Sequence, residues 1–380
     1  MLLVTILISL LYSTLMTGRI FNPSSTSLAP ARQPTVVAHE GAGLRDQLQR
    51  PLRDLRISVT DRCNFRCTYC MPREVFGADH AFLPQPQLLS FEEIVRVATI
   101  AVQMGVQKIR LTGGEPLLRK HIENLIELLS QLRTPDGQPV ELAMTTNATL
   151  LAQKAQALKD AGLHRVTVSL DALDSARFTQ LSDSQVAVER VLAGIEKAAE
   201  VGLAPVKVNM VVRKGINDDQ IIPMARYFKG RGHALRFIEY MDVGNTNGWN
   251  MAEVITGAQI VEQLAHEFEI EPVAADYYGE VADRYRYVDG SGEFGIITSV
   301  SNPFCGDCTR MRLSPEGQFF LCLFASRGYD VRSLLRSQAT DNEIAAHLME
   351  VWRGRGDRYS ELRGQNQAPR EKIEMSYIGG

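Results

Sequence analysis

Six short β-branched runs, at 55–60, 108–112, 140–146, 165–170, 206–212 and 235–240, recur with helical stretches between them. Strands that alternate with helices pair in parallel, because a parallel crossover needs a connection about as long as a helix. The pattern therefore predicts an α/β fold built from βα units. Ser90-Phe91-Glu92-Glu93 reads as a capping box, opening an amphipathic helix that stops near Gly105. Further helices are expected over 187–201 and 219–228. In folds of this class ligands gather at the C-terminal ends of the strands. Polar groups do cluster there: Thr112-Gly113-Gly114-Glu115-Pro116, Thr145-Thr146-Asn147, Ser169-Leu170-Asp171 and Glu239-Tyr240-Met241. Any one of these could be ordinary strand-end punctuation; four on one edge point to a site.

The first run leads straight into Cys63-Asn64-Phe65-Arg66-Cys67-Thr68-Tyr69-Cys70, a C-x3-C-x2-C triplet. A four-iron cubane is normally held by four cysteine thiolates, so three local ligands leave one iron open. An open coordination position separates a catalytic metal site from a closed structural one. Cys305, Cys308 and Cys322 form a second triplet, C-x2-C-x13-C, and the two triplets use all 6 cysteines of the chain. A zinc site is the competing reading for the second triplet, but the nearest histidines, His266 and His347, stand far away in sequence. Two clusters, each with an open iron, are the expectation. Thiolate clusters require reduced cysteines, which points to the cytoplasm.

At 380 residues the chain has room for two to three domains and a substantial core. A formal net charge of −3 argues against a surface that wraps a nucleic acid polymer, while leaving room for a local basic pocket around one phosphate-bearing molecule. Residues 1–16 are nearly all apolar, and a Ser/Pro/Ala-rich stretch follows to about residue 50. The run is short for a membrane span of about 20 residues, and no basic segment precedes it as in a secretory signal. Residues 1–50 are expected to be a disordered extension without a catalytic role; a peripheral membrane tether is the second reading.

The motifs LRISVTDRCNFRCTYCMP, IRLTGGEPLLR, TTN, VSLD, VKVNMVV, LRFIEYM, FCGDCTRMRLSPEGQFFLCLF and the terminal SYIGG together resemble the molybdenum cofactor biosynthesis protein A family. These are radical S-adenosylmethionine (SAM) enzymes, GTP 3',8-cyclases of the lyase class. The resemblance runs from about Leu52 to Gly380. It implies a partial (βα)6 TIM-type radical SAM barrel over 51–245. It implies a C-terminal domain over 246–380 that carries the second iron–sulfur cluster and binds substrate. The cofactors implied are two [4Fe-4S] clusters and SAM. Cys63, Cys67 and Cys70 would hold the first cluster, whose open iron chelates SAM, and Cys305, Cys308 and Cys322 the second, whose open iron meets guanine. Tyr69, Gly114, Ser169 and Met241 match positions that contact SAM; for Met241, core packing is the competing reading. Arg56, Arg110, Thr145, Lys207, Arg310 and Arg312 match substrate positions. Arginine suits a triphosphate because its planar fork engages two oxygens at once. Gly379 and Gly380 form a flexible tail expected to reach into the active site and, with Arg310 and Arg312, to act in catalysis.

The implied reaction is the first step of molybdenum cofactor biosynthesis. A 5'-deoxyadenosyl radical takes hydrogen from C3' of GTP, and the carbon radical closes onto C8, giving (8S)-3',8-cyclo-7,8-dihydroguanosine 5'-triphosphate. The implied partners are a flavodoxin- or ferredoxin-type electron donor, the cyclic pyranopterin monophosphate synthase downstream, and a second copy in a homodimer. The sequence departs from the family pattern at Ala148, where glycine is common, and over Leu181-Ser182-Asp183-Ser184, expected to touch no ligand. The alternatives are a peptide-modifying radical SAM enzyme with an auxiliary cluster, which usually carries more C-terminal cysteines, and a non-catalytic iron–sulfur protein.

Overall fold

The computed structural model describes residues 43–363 and 371–380. The apolar run at 1–16 lies outside the described residues. Six βα units follow one another: β1 (Asp54–Ser58), α1 (Phe91–Gln103), β2 (Lys108–Thr112), α2 (Ile122–Ser130), β3 (Glu141–Thr146), α3 (Leu151–Asp160) and β4 (Arg165–Ser169). Then come α4 (Ser175–Ser182), α5 (Val188–Glu200), β5 (Lys207–Val212), α6 (Ile221–Phe228) and β6 (Ala234–Glu239). Each strand lies within a residue or two of its expected run. Ser90 caps α1 through a reciprocal pair: its side chain accepts from the Glu93 amide, and the Glu93 carboxylate accepts from the Ser90 amide.

After β6 the chain forms α7 (Gly257–Glu267), β7 (Ile270–Val273), β8 (Asp283–Tyr287), β9 (Glu293–Ile297), β10 (Arg310–Leu313), β11 (Gln318–Phe320) and β12 (Tyr329–Asp330). It ends in α8 (Arg332–Leu335), α9 (Asp341–Arg353), α10 (Tyr359–Leu362) and α11 (Met375–Ile378). All these strands join one sheet of order β12-β11-β10-β1-β2-β3-β4-β5-β6-β9-β8-β7. β10 pairs parallel with β1, and β9 pairs parallel with β6. The region after 245 therefore extends both edges of the six-stranded core, and the antiparallel strands outside it cover those edges. The two outermost strands, β12 and β7, do not pair with each other, so the barrel stays open.

Side chains alternate across a strand, which sorts this sheet into two faces. On β5, Val208, Met210 and Val212 are fully buried under the helices, while Lys207, Asn209 and Val211 face the other way and are half-buried. β6 repeats this, with Leu235 and Phe237 buried and Arg236 half-buried. The helix-side face is apolar; the concave face is polar. Burying each large aliphatic side chain there stabilises the fold by about 1.5–3 kcal/mol.

Residues 43–50, expected within a disordered extension, are part of the fold. Arg45 bridges to Pro51, and Asp46 and Arg50 are buried. The reason is electrostatic: Asp46 pairs with both Arg50 and Arg355, tying this segment to the end of α9.

Candidate active site

The first triplet sits on the loop after β1, at the C-terminal edge of the parallel strands. Arg66 shapes that loop: its guanidinium donates to the carbonyls of Cys63, Phe65 and Phe76. The Cys70 and Met71 amides both donate to the Cys67 carbonyl, closing a tight turn. The segment at 181–184, expected to touch no ligand, supports this loop. The carbonyls of Leu181 and Ser182 accept from the amides of Thr68 and Arg66, and Ser182 reaches the cavity wall. Asp183, the left-handed C-cap of α4, pairs with Arg73.

Gly114 lies on the wall beside the first triplet, and its lack of a side chain serves the protein backbone as well as a ligand. A Cβ there would stand 2.4 Å from the Arg62 carbonyl oxygen, so only glycine lets the β2 loop dock on the cysteine loop. Glu115 accepts from the amides of Asn147 and Leu117 and from the Thr146 hydroxyl, and burial pushes its carboxyl up to about 7. Asn147 completes the frame, donating to Asn64 and, at 3.8 Å, to the Cys63 sulfur. Tyr69 donates to Asp171 at 2.8 Å. Burial raises Asp171 to about 6. Burial, with Glu115 adding to it, likewise raises Cys63 to about 11. Cys67 and Cys70 are also pushed up by burial and by the neighbouring cysteines.

The second triplet lies at the opposite end. Cys305 and Cys308 precede β10, which runs parallel to β1, and Cys322 follows β11, which returns antiparallel. Both connections place the thiols at the N-terminal edge of the parallel strands. Around them the charge is reversed. Burial works against the Cys308 thiolate, but Arg310 and Arg355 outweigh it and hold Cys308 down at about 6. Arg310 donates to the Cys308 sulfur at 3.4 Å. Cys322 is raised to about 12, chiefly by burial, with Arg355 opposing the rise.

A cavity of about 330 Å³ is lined by all six cysteines and therefore joins the two triplets. Arg56, Arg110, Thr145, Arg310 and Arg312 face it, as do Tyr69, Gly114, Ser169 and Met241. Met241 is half-exposed on the cavity wall, which removes the core-packing reading. Arg56 pairs in register with Arg110 on one side and Arg312 on the other, so three guanidinium groups form a row across β2, β1 and β10. Arg110 is steered by the hydroxyls of Thr145 and Thr167. Burial depresses the Arg56 pKa, and Arg312, Arg310 and Arg110 push it in the same direction. Such mutual repulsion favours a polyanion in their midst.

Lys207 does not line the cavity wall. It lies two residues before Asn209 on the same face of β5, one layer toward the N-terminal edge. Burial and the cations Arg236, Arg165, Lys108 and Arg110 lower it to about 7. The C-terminal tail is held rather than loose. Arg312 donates to the Gly379 carbonyl, Tyr377 donates to Glu316, and Gly380 reaches the cavity wall. Gly379 adopts φ +76, and a Cβ there would fall 1.9 Å from the Thr112 hydroxyl, so no other residue fits.

Sequence reasoning placed Asn147 and Asp171 at the strand ends without giving either a role, and it missed Arg236 on the cavity wall, as well as Arg50 and Arg355 beside the second triplet. Arg236 carried a usable signal, since it stands one strand over from Asn209 on a run already read as β. Arg50 and Arg355 carried none, because each reaches the site from a segment remote in sequence.

All six cysteines are free and line the same cavity, and thiolates are the donors that iron–sulfur cubanes take.

Residues 57–228 match the radical SAM superfamily, and residues 233–361 match the family described as Molybdenum Cofactor Synthesis C. The chain is 51% identical over 362 residues to the GTP 3',8-cyclase of Acidothermus cellulolyticus, covering 89% of this chain and 99% of that one. It is 50% identical over 341 residues to the GTP 3',8-cyclase of Staphylococcus saprophyticus, with the same coverage of both chains. Among solved structures, SuiB of Streptococcus suis bound to S-adenosylmethionine superposes with a TM-score of 0.56 at 17% identity, covering 82% of this chain and 68% of that one. That likeness concerns the fold alone. The half-identical relatives, matched over nearly their whole length, decide the family: this chain is a radical SAM protein of the GTP 3',8-cyclase family.

Proposed function

We propose that this chain converts GTP to (8S)-3',8-cyclo-7,8-dihydroguanosine 5'-triphosphate, within molybdenum cofactor synthesis. The observation that carries the reading is the single cavity with a cysteine triplet at either end and a row of arginines between them. A site built for one cluster and SAM alone has no use for the second triplet or for so many buried cations.

Cys63, Cys67 and Cys70 would hold the first cluster, and Cys305, Cys308 and Cys322 the second. A cluster and SAM held by these first three cysteines would supply radical chemistry at the ribose of GTP. The protein's part is alignment. Tyr69, Gly114, Ser169 and Met241 form the wall on which SAM rests, with Asp171 fixing the Tyr69 hydroxyl. Arg56, Arg110, Arg310 and Arg312 take the triphosphate, helped by Thr145, and Lys207 adds charge from the layer behind. Holding the substrate at both ends converts a bimolecular encounter into an oriented intramolecular one, which is worth several kcal/mol of barrier. Gly379 and Gly380 close the space beside Arg312 and limit access of water and quenchers to the radical. We place the enzyme in the cytoplasm, as a homodimer, drawing electrons from a flavodoxin- or ferredoxin-type donor and passing product to the cyclic pyranopterin monophosphate synthase. Among the described residues no helix is long and apolar enough to cross a membrane.

The test is anaerobic. The protein is reconstituted with iron and sulfide, mixed with SAM, dithionite and GTP, and assayed by mass spectrometry. 5'-Deoxyadenosine together with cyclised GTP is the expected outcome. 5'-Deoxyadenosine without a GTP product would overturn the substrate, and no SAM cleavage in fully loaded protein would overturn the enzyme.

A further inference from the structure

Arg50 is the least expected side chain near the second triplet. It comes from the segment before β1, yet it is completely buried and lines the cavity. Its Nε donates to Asp46 at 2.5 Å. Its Nη1 donates to the carbonyl of Cys305 at 2.7 Å and to that of Asp357 at 2.9 Å. Arg355 mirrors it: Nη1 donates to the carbonyl of Cys308 at 2.7 Å and to Asp46 at 3.1 Å, and Nε donates to the Leu321 carbonyl, next to Cys322. Two guanidinium groups, keyed together by one carboxylate, thus hold the backbone at or beside every cysteine of the triplet.

Two features of this arrangement are unexplained by packing alone. Among the described residues the buried Arg50 Nη2 has no hydrogen-bond partner, although an unmade bond from a charged buried donor is costly. The charge count is also unbalanced. Among the described residues, the buried side chains Asp46, Arg50, Arg312 and Arg355 set three cations against one carboxylate beside this triplet, so the remaining negative charge has to come from the thiolates and what they hold. Buried cations persist when an anion compensates them. A cubane held by three thiolates carries net negative charge and accepts N–H···S hydrogen bonds, which stabilise its reduced form.

We infer that Arg50, locked by Asp46 and paired with Arg355, is a positioning residue for the second cluster. It fixes the Cys305 backbone and gives its free Nη2–H to the cluster sulfur. The inference rests on the reading that the second triplet holds a cluster. Arg50 touches neither substrate nor SAM in this role.

The experiment uses the full chain, reconstituted anaerobically as wild type, Arg50→Gln and Arg50→Lys. Iron and sulfide are counted, and both clusters are followed by electron paramagnetic resonance during a redox titration. Wild type is expected to load about eight irons, four per cubane. Arg50→Gln is expected to lose most of the second cluster, or to keep it at a lower midpoint potential with an altered signal. Its first cluster and its SAM cleavage should stay within twofold of wild type, which shows that the chain has folded. Arg50→Lys, which keeps the charge but not the fork, should fall between the two. A fully loaded Arg50→Gln protein with an unchanged second-cluster signal and potential would overturn the role of Arg50 while leaving the cyclase reading intact. Wild type that loads only about four irons, all at the first triplet, would overturn the second cluster itself and this inference with it.

Discussion

The two cysteine triplets face each other across one cavity but are built in different ways. Cys63, Cys67 and Cys70 share a single loop braced by local contacts, chiefly from Arg66 and the carbonyls at 181–182. Cys305, Cys308 and Cys322 come from two turns and are braced by Arg50 and Arg355, which arrive from opposite ends of the chain. Their charge settings differ as well. The first triplet has the carboxyls Glu115 and Asp171 beside it, and burial raises its thiols. The second is surrounded by arginines, which bring Cys308 down to about 6. On the proposed function, the end that takes SAM, itself a cation, would gain from carboxylates nearby, and the end that takes a triphosphate would gain from cations. The asymmetry in charge thus matches a division between radical generation and substrate holding.

Separating the two halves by mutation gives the largest effect. Cys67→Ser should abolish both SAM cleavage and cyclisation. Cys322→Ser should leave SAM cleavage largely intact while cyclised GTP falls to background, so that the two products uncouple. Parallel mass spectrometry of 5'-deoxyadenosine and nucleotide checks this. Equal loss of both products in Cys322→Ser would erase the proposed division.

The arginine row should show a conflict between stability and substrate binding. Arg56 is held among Arg312, Arg310 and Arg110, which disfavour its charge. Replacing it with a hydrophobic residue of similar length, Arg56→Met, removes that repulsion. The unliganded protein is expected to melt higher, by roughly 2 °C. Loss of a charge-assisted contact to phosphate costs about 1.5–3 kcal/mol, so KM for GTP should rise roughly ten- to hundredfold. Calorimetry and steady-state kinetics on the same preparation read both. A lower melting temperature together with an unchanged KM would remove Arg56 from the substrate set.

Lys207 offers a pH test of the same half of the cavity. Burial and surrounding cations depress its pKa from 10.5 to about 7. Between those values the unfolded chain binds the proton and the folded chain does not, so stability of the unliganded protein rises with pH across that window. Below pH 7 the lysine charges in place and that advantage is gone. A triphosphate nearby favours the charged form. GTP binding at pH 8 should therefore take up close to one proton, seen as a dependence of the calorimetric heat on buffer ionisation enthalpy. Lys207→Met should abolish the uptake; the same uptake in that variant would assign the proton elsewhere.

What the sequence revealed follows the same divide. The first triplet and all six core strands were legible, because each depends on contacts close in sequence: a strand, its loop and the next glycine pair. Arg310 and Arg312 were legible as a pair because alternation on a strand puts both on one face, as β10 confirms. The cradle of the second triplet was not. Asp46 and Arg355 are separated by almost the whole chain, and nothing in either neighbourhood announces the pairing. β9 and β10 were hidden for a related reason, since their parallel partners β6 and β1 lie far from them in sequence. The supporting role of 181–184 was missed because it acts through backbone carbonyls, which carry no residue code.

Ala148 gives the smallest effect and the sharpest probe of the first half. It follows Asn147, whose side chain reaches Cys63, and it holds a left-handed φ of +61 that glycine would adopt freely. Its amide donates to the Thr146 hydroxyl, and that hydroxyl donates to Glu115, so the strained residue belongs to the frame around the first triplet. An L-residue in this conformation costs about 1 kcal/mol. Ala148→Gly relieves that strain but adds freedom to the unfolded chain, which offsets part of the gain. The methyl group is fully buried and touches the Gly194 region of α5, so its loss also removes some packing. The net change expected is therefore within about 0.5 kcal/mol of zero, measurable by denaturant titration of the unliganded protein. The more telling reading is local. If the strain sets the angle at which Asn147 meets Cys63, Ala148→Gly should shift the signal of the first cluster and leave that of the second unchanged. A change confined to the second cluster would show that the two halves are mechanically coupled and end the separation drawn between them.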